Sequence, residues 1–433
     1  MLILEIAVVL GSIFLGARMG GIGIGYAGGL GVLVLCLFFG LAPGSIPIDV
    51  ILIIMSVIAA IAAMQVAGGL DYMVSIAEKV LRKNPKQITY LAPAVTYFMT
   101  LLAGTGHTAY STLPVIAEVA KEQGIRPSRP LGVAVVASQI AITASPISAA
   151  VVFFSGILEP LGVGYIELLA IVIPTTFAAC MITAFVSNFL GKDLKDDPVY
   201  QDRMKKGLVK LRGETKVEIK EGAKLSVAIF CMTIFSVVTY ATLISDKVGI
   251  ITNPTLPRNE AIMVFMLACA TLIVLFTKID SGKIISASTF KSGMSACICV
   301  LGVAWLGTTF VGAHIDEIKG FASTLLGQYP WMLAVTLFFA SMLLYSQGAT
   351  TKALMPAALA LGVDPGTAIA SFAAVSALFV LPTYPTLLAA VEMDDTGSTR
   401  IGKLVFNHPF IVPGVLAITL SVVFGFIVSG MIL

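Results

Sequence analysis

Two short stretches set anion-recognising groups among helix breakers inside apolar runs: Thr105, Gly106, His107 and Thr108 in GTGHT, and Ser346, Gln347, Gly348, Thr350, Thr351 and Lys352 in SQGATTK. Two further breaks, SPISAA with Ser145, Pro146 and Ser148, and TYPT with Thr383, Tyr384 and Thr386, follow each of them at similar separation. Hydroxyls, amides and freed backbone N–H groups suit a carboxylate. The N-terminal end of a half-helix adds a partial positive charge without burying a full one. His107 adds a titratable ring, and Lys352 a compact cation that complements a carboxylate. Each group also has a plainer role. Ser and Thr in apolar helices commonly bond to their own helix, a lone histidine is often a packing residue, and a lysine can snorkel to an interface. Clustering at matched breaks favours a binding site for a short dianion, one carboxylate per break.

The elements that must position these groups are membrane helices. Of 433 residues, 58% are hydrophobic and 12% charged, against about 25% charged in a soluble domain. Apolar runs of roughly 17 to 25 residues recur, long enough to cross as helices and too continuous for a lipid-embedded β-barrel. Spans are expected at 1–17, 20–41, 48–70, 131–155 and 164–191, and again at 224–245, 259–278, 291–313, 366–391 and 404–431. Residues 88–120 and 330–361 are left over as interrupted hairpins. The first run lacks the basic start of a secretory signal and reads as mature structure.

Loop charge gives an orientation. Lys79, Arg82, Lys83, Lys86, Lys121, Arg126 and Arg129 bracket the first hairpin, and 192–223 carries a further basic cluster; the turns at 41–47 and 159–167 have no Lys or Arg. Basic residues in short loops accumulate on the cytoplasmic side, so both termini are expected in the periplasm. The expected fold class is an all-α polytopic membrane protein of two inverted repeats, each with five transmembrane helices and one re-entrant helical hairpin. Residues 1–191 form the first repeat, 192–223 a cytoplasmic linker and 224–433 the second. Inverted repeats with interrupted helices recur in secondary transporters and place the substrate near the midplane.

Other motifs carry less. GGIGIGYAGGLG lacks the preceding strand of a nucleotide fingerprint; Gly21, Gly25 and Gly29 instead suggest a close-packing ridge. The six cysteines fall in apolar runs as small core residues, with no metal-ligand spacing. Asp394 and Asp395 are adjacent and point differently, so no carboxylate dyad, zinc pair or nucleophile elbow marks an enzyme, and no metal or cofactor is expected. Nor is nucleic acid, since 27 Lys plus Arg against 24 Asp plus Glu leave a charge of only +3. An anion channel would need no alternating domain. A sodium or proton antiporter should carry midspan carboxylates, which are scarce, and a structural or signalling role gives the hairpins no purpose.

FLGARMGGIGIGYAGGLGVLVL, MQVAGGLDYMV, LPVIAEVAKEQGIRPSRPL, ITASPISAAVV, KSGMSACICVLGVAWLG, ALMPAALAL, LPTYPTLLAAVEMDDTGSTRIGK and FNHPF resemble the anaerobic C4-dicarboxylate transporters of the Dcu family, A/B branch, across essentially the whole chain. The resemblance implies a bacterial inner-membrane antiporter exchanging fumarate, malate or aspartate for succinate, within a superfamily of inverted-repeat ion transporters. The alternative is cation-coupled (Na⁺ or H⁺) uptake of small organic anions on the same architecture. Some members of the branch partner a membrane sensor kinase. GTGHT and Tyr110 look more like the fumarate-respiring side, IAEVAKEQG and ITASPISAA more like the aspartate-handling side. Subtype, ion coupling and homo-oligomeric state stay open.

Overall fold

A computed structural model describes the chain except residues 20–21, 47, 210–218, 245–249, 315–327, 345, 382–383 and 403–405; the side chains of Ala17, Ile24, Val50, His107, Ser292, Ala296, Val300 and Leu343 also lie outside the description. The described residues are helical and contain no strand. In the first half, α1 (Leu2–Met19), α2 (Gly23–Phe39) and α3 (Ile48–Val66) are apolar, and α4 (Gly69–Lys83) is amphipathic. Then come α5 (Ile88–Ala103), α6 (Ala109–Glu122), α7 (Ser128–Ile140), α8 (Ala149–Leu158) and α9 (Tyr165–Ser187). The second half begins after the short α10 (Pro198–Lys205) in the linker. It comprises α11 (Ala223–Leu243), α12 (Arg258–Thr277), α13 (Ser288–Ala313), α14 (Met332–Leu344), α15 (Gln347–Ala360), α16 (Pro365–Ser371), a 3₁₀ stretch Phe372–Phe379, α17 (Pro385–Met393) and α18 (Ile411–Ile432).

Among the described residues, five helices, α9, α11, α12, α13 and α18, are long and apolar enough to cross a bilayer on their own. Three expected spans are broken. The run 48–70 stops at Val66, where Gly68 at φ 86° turns the chain, and α4 leaves at 74° to α3. Asp71, Glu78, Lys79 and Arg82 explain why: that segment cannot be all lipid-facing. The runs 131–155 and 366–391 each divide around their polar breaks, into α7 and α8, and into α16 with its 3₁₀ extension and α17. Pro146 and Pro385 lack the N–H that a continuous helix would need.

Two cores organise these elements. One joins α5–α9 to α14–α18 around Tyr97, Phe154, Phe372, Phe379 and Phe410, with the Phe154 and Phe372 rings 4.6 Å apart. The other joins α3 and α4 to α11 and α12 around Ile61, Met64, Phe230 and Met266. α1, α2 and α13 pack beside the second. The glycine ridge of α2 is used, with a shifted register. Gly25 and Gly28 abut Ile298 to Val303 of α13, and a Cβ on Gly302 would land on the Gly25 carbonyl; Gly29 faces open space, and Gly21 lies outside the described residues. Backbones approach this closely in membranes because dispersion contacts drive helix association there. Large apolar side chains such as Phe14, Leu37, Phe38, Phe235, Phe276 and Phe339 are exposed around the periphery, the surface that lipid covers.

Candidate functional site

Each hairpin tip meets the second break of the opposite half. α15, the returning arm of the second hairpin, packs on α8; α6, the returning arm of the first, packs on α17. Four half-helices therefore begin in one region of the first core.

The α8–α15 pair is closely matched. Ser148 caps α8 by accepting from Val151 N–H at 3.2 Å, and Ser346 caps α15 by accepting from Ala349 N–H at 3.2 Å. Such a cap satisfies one of the first N–H groups and leaves others to the surroundings. The two starts touch: a Cβ on Gly348 would lie 3.8 Å from Ala149 Cβ and 3.9 Å from Ala150 N. Two positive dipole ends thus face one small space, an arrangement that favours an anion between them. Lys352 stands one turn on, half-buried, its ammonium 5.5 Å from the centre of the Phe153 ring on α8 and in electrostatic reach of Asp49.

The α6–α17 pair is built from the first tip. Gly104, at φ 68°, ends α5 and donates its N–H to Thr100 O at 2.8 Å. Gly106 lies so near α7 that a Cβ would sit 3.1 Å from Ser138 O, so any larger residue would push the tip away. Thr108 Oγ1 is 3.3 Å from both Thr100 Oγ1 and Thr105 O. Residues 106–108 form a 3₁₀ turn leading into α6, which places the His107 backbone in the tip; its side chain lies outside the described residues. Tyr384 stands at the start of α17 and Thr386 is buried in its first turn, while Thr383 lies outside the described residues.

Gln139, at the end of α7 and fully buried, ties the two pairs together. Its backbone carbonyl accepts from Gln347 Nε2 at 3.2 Å and from Ser376 Oγ at 3.3 Å; its side-chain Nε2 lies 3.5 Å from Thr386 Oγ1. Among the described residues its Oε1 has no partner. A buried amide oxygen left unpaired costs about 1 to 3 kcal/mol, so such an atom in a native core calls for an explanation. Sequence reading passed over Gln139 because it sits within AVVASQIAIT, one turn before the break it serves. The one signal available was an amide in an otherwise apolar and hydroxyl-bearing run.

Several expected donors are engaged within the protein. Ser145 Oγ donates to Leu101 O at 2.7 Å, Thr350 Oγ1 to Ser346 O at 2.8 Å and Thr351 Oγ1 to Gln347 O at 2.7 Å. Tyr165 donates its hydroxyl to Pro146 O, holding the break against α9. These hydroxyls stitch the breaks together.

At the end bearing the basic loops, ion pairs fasten the halves. Lys121, almost wholly buried on α6, binds Glu118 at 2.9 Å and Asp395 at 3.0 Å, and Arg203 of α10 donates to Asp395 O at 2.9 Å. Asp394 instead accepts from the Thr396 and Thr399 N–H groups and the Ser398 hydroxyl, so the adjacent aspartates do diverge. Arg126 binds Asp197 at 2.6 Å. Burial alone would raise the Asp197 pKa, but the Val199 N–H and the Arg126 and Arg400 guanidiniums outweigh it and hold it below the usual value of 3.8. Arg126 and Arg129 thus tie this loop to the segment that follows α9.

A core of broken helices with four polar starts, flanked by long apolar helices, suits a membrane transporter. Comparison with known proteins agrees. The crystal structure of the Alcanivorax borkumensis YdaH transporter superposes with a TM-score of 0.56 over 99% of this chain and 97% of that one, at 14% identity, a likeness of fold. The chain is 74% identical over 433 residues to the C4-dicarboxylate transporter DcuA of Wolinella succinogenes and 60% identical to DcuA of Escherichia coli, with 100% of every chain covered. It is 39% identical to the anaerobic C4-dicarboxylate transporter DcuB of Escherichia coli, over 99% of this chain and 98% of that one. The model of the anaerobic C4-dicarboxylate membrane transporters matches residues 1–433, and the chain with its paired half-helices belongs to that family of multi-pass membrane transporters, not enzymes.

Proposed function

We propose that this protein exchanges C4-dicarboxylates across the bacterial inner membrane, taking up fumarate, malate or aspartate against succinate by alternating access. The observation that carries the reading is the meeting of four half-helix starts, α8 with α15 and α6 with α17, whose N–H donors and positive dipole ends suit carboxylates. A four-carbon dianion would set one carboxylate at the α8–α15 starts and the other at the α6–α17 starts, beside the Gln139 and Gln347 amides. The names of the relatives support the substrate class.

On this reading residues 1–191 and 224–433 are inverted repeats, each of five spans and one hairpin, at 88–120 and 330–361, with 192–223 as a cytoplasmic linker and both termini periplasmic. The crosswise pairing of each hairpin with the other half's second break supports that symmetry. The core of α5–α9 and α14–α18 would move as the transport unit against the helices of the second core. Exchange follows if the empty carrier crosses poorly, because its dipole ends and Lys352 would then lack a counter-charge. A thermal-shift panel of four-carbon diacids and amino acids, with and without sodium, tests the site. Stabilisation by diacids and not by monocarboxylates supports it, and no shift with any diacid contradicts it. Sodium-dependent stabilisation would favour cation-coupled uptake over exchange.

A further inference from the structure

We propose that a cavity at the basic end of the molecule binds the phosphodiester headgroup of an anionic phospholipid. The cavity, of about 330 Å³, opens between the end of α9 and the start of α18, lined by Arg126, Arg129, Arg400, Asn407 and His408. That volume is roughly ten times a water's share of the liquid, room for a glycerophosphate-sized group.

Charge decides the kind of anion. Asp197 lies 2.6 Å from Arg126 and 3.5 Å from Arg400, and exposed Asp193 lies 3.1 Å from Arg129. The three lining guanidiniums against the two carboxylates paired with them leave one positive charge. A phosphodiester carries one negative charge and matches it; a dicarboxylate carries two. Donors remain as well. Arg129 spends Nε on Leu190 O and Nη2 on Gly191 O and Asp193, and Arg126 spends Nε on Ser128 and Nη1 on Lys192 O, so each guanidinium is held in place with one further nitrogen to offer. His408, 7% exposed, forms part of the wall; its Nε2 faces Val380 O at 3.1 Å and its Nδ1 has no partner among the described residues.

Position decides the source. α9 and α18 are each long enough to cross the bilayer and pack on one another, so the cavity lies where their ends leave the hydrocarbon. Val412, 52% exposed, lines it, and Phe189 and Phe406, 72% and 60% exposed, adjoin its lining residues Leu190 and Asn407 in sequence. Acyl chains along these apolar flanks would bring a headgroup to the guanidiniums, as basic pockets between membrane helices do for anionic lipids.

The test uses the full chain in nanodiscs of phosphatidylcholine with or without phosphatidylglycerol, followed by native mass spectrometry of the retained lipid. Inorganic phosphate and succinate are added separately in detergent, with thermal unfolding as the readout. Expected is preferential retention of phosphatidylglycerol, reduced about fivefold in R400Q and further in N407D, which adds a like charge at an exposed position. Unfolding in pure phosphatidylcholine should be unchanged in N407D, which separates lost binding from lost folding, whereas R400Q gives up its ion pair with Asp197 and should melt slightly lower. Equal retention of the two lipids, or undiminished retention in both variants, overturns the proposal. So does full stabilisation by phosphate or succinate alone, which would make the cavity a free-anion site.

Discussion

Gln347 reaches across from the tip of the second hairpin to donate its side-chain N–H to the backbone carbonyl of Gln139 at 3.2 Å. The bond joins residues 208 apart in sequence and fixes one half's hairpin against the other half's break. It also uses the backbone of Gln139, leaving the side-chain oxygen of that residue unpaired.

Replacing Gln139 by leucine should therefore separate stability from function. The variant keeps the backbone carbonyl and removes a buried unpaired acceptor, so its melting temperature should equal or exceed that of the parent. Loss of the Nε2 donor should lower dicarboxylate affinity about tenfold. Calorimetric titration beside a melt reads both; a large loss of stability with unchanged affinity would mean that Gln139 serves packing alone.

Gly348→Ala probes the space between the two helix starts. The nearest atoms to the added methyl stand at 3.8 and 3.9 Å, so folding is preserved, and helix propensity improves by up to about 1 kcal/mol. The methyl nonetheless intrudes where the facing N–H groups would bind a carboxylate. Michaelis constants for uptake should rise several-fold with normal protein levels in the membrane. An unaltered constant would place the carboxylate elsewhere.

Lys352→Met keeps the aliphatic stem against Phe153 and removes the ammonium. A dianion should lose about 1.5 to 3 kcal/mol of binding if it meets that charge, or only tenths if the cation serves Asp49 and the Phe153 ring. Competition by graded concentrations of unlabelled succinate distinguishes these results.

Asp197 supplies a pH dependence at the linker. Its folded-state pKa lies below 3.8, so its ion pairs with Arg126 and Arg400 stabilise the fold fully above that value. The contribution drains away as pH falls through the lowered folded-state value. Melts from pH 7 to pH 3 should therefore show a steeper acid decline for the parent than for Asp197→Asn; parallel declines would remove Asp197 as the cause.

The hairpin tips were legible because glycine, amide, hydroxyl and charged residues are conspicuous in an apolar run. SPISAA and YPTLLAA were visible as breaks, yet the spans 131–155 and 366–391 were drawn through them, since hydropathy averages over a window and does not register a half-helix. α4 was missed for the opposite reason: Gly68 ends an apolar run whose continuation is amphipathic. The crosswise pairing of α6 with α17 and α8 with α15 was beyond sequence reading, and so was Gln139. Which polar groups share a space depends on tertiary packing, which one chain's periodicity does not encode. The hydroxyls of Thr350 and Thr351 looked like recognition donors because composition cannot tell a proton aimed at a ligand from one spent on a carbonyl four residues back.

Exchange through the Gln139 site is tested most directly by counterflow in proteoliposomes. Vesicles loaded with unlabelled succinate should take up labelled fumarate or aspartate many times faster than empty vesicles, and Gln139→Leu should slow that uptake when external substrate is low. Equal rates from loaded and empty vesicles would contradict the exchange mechanism.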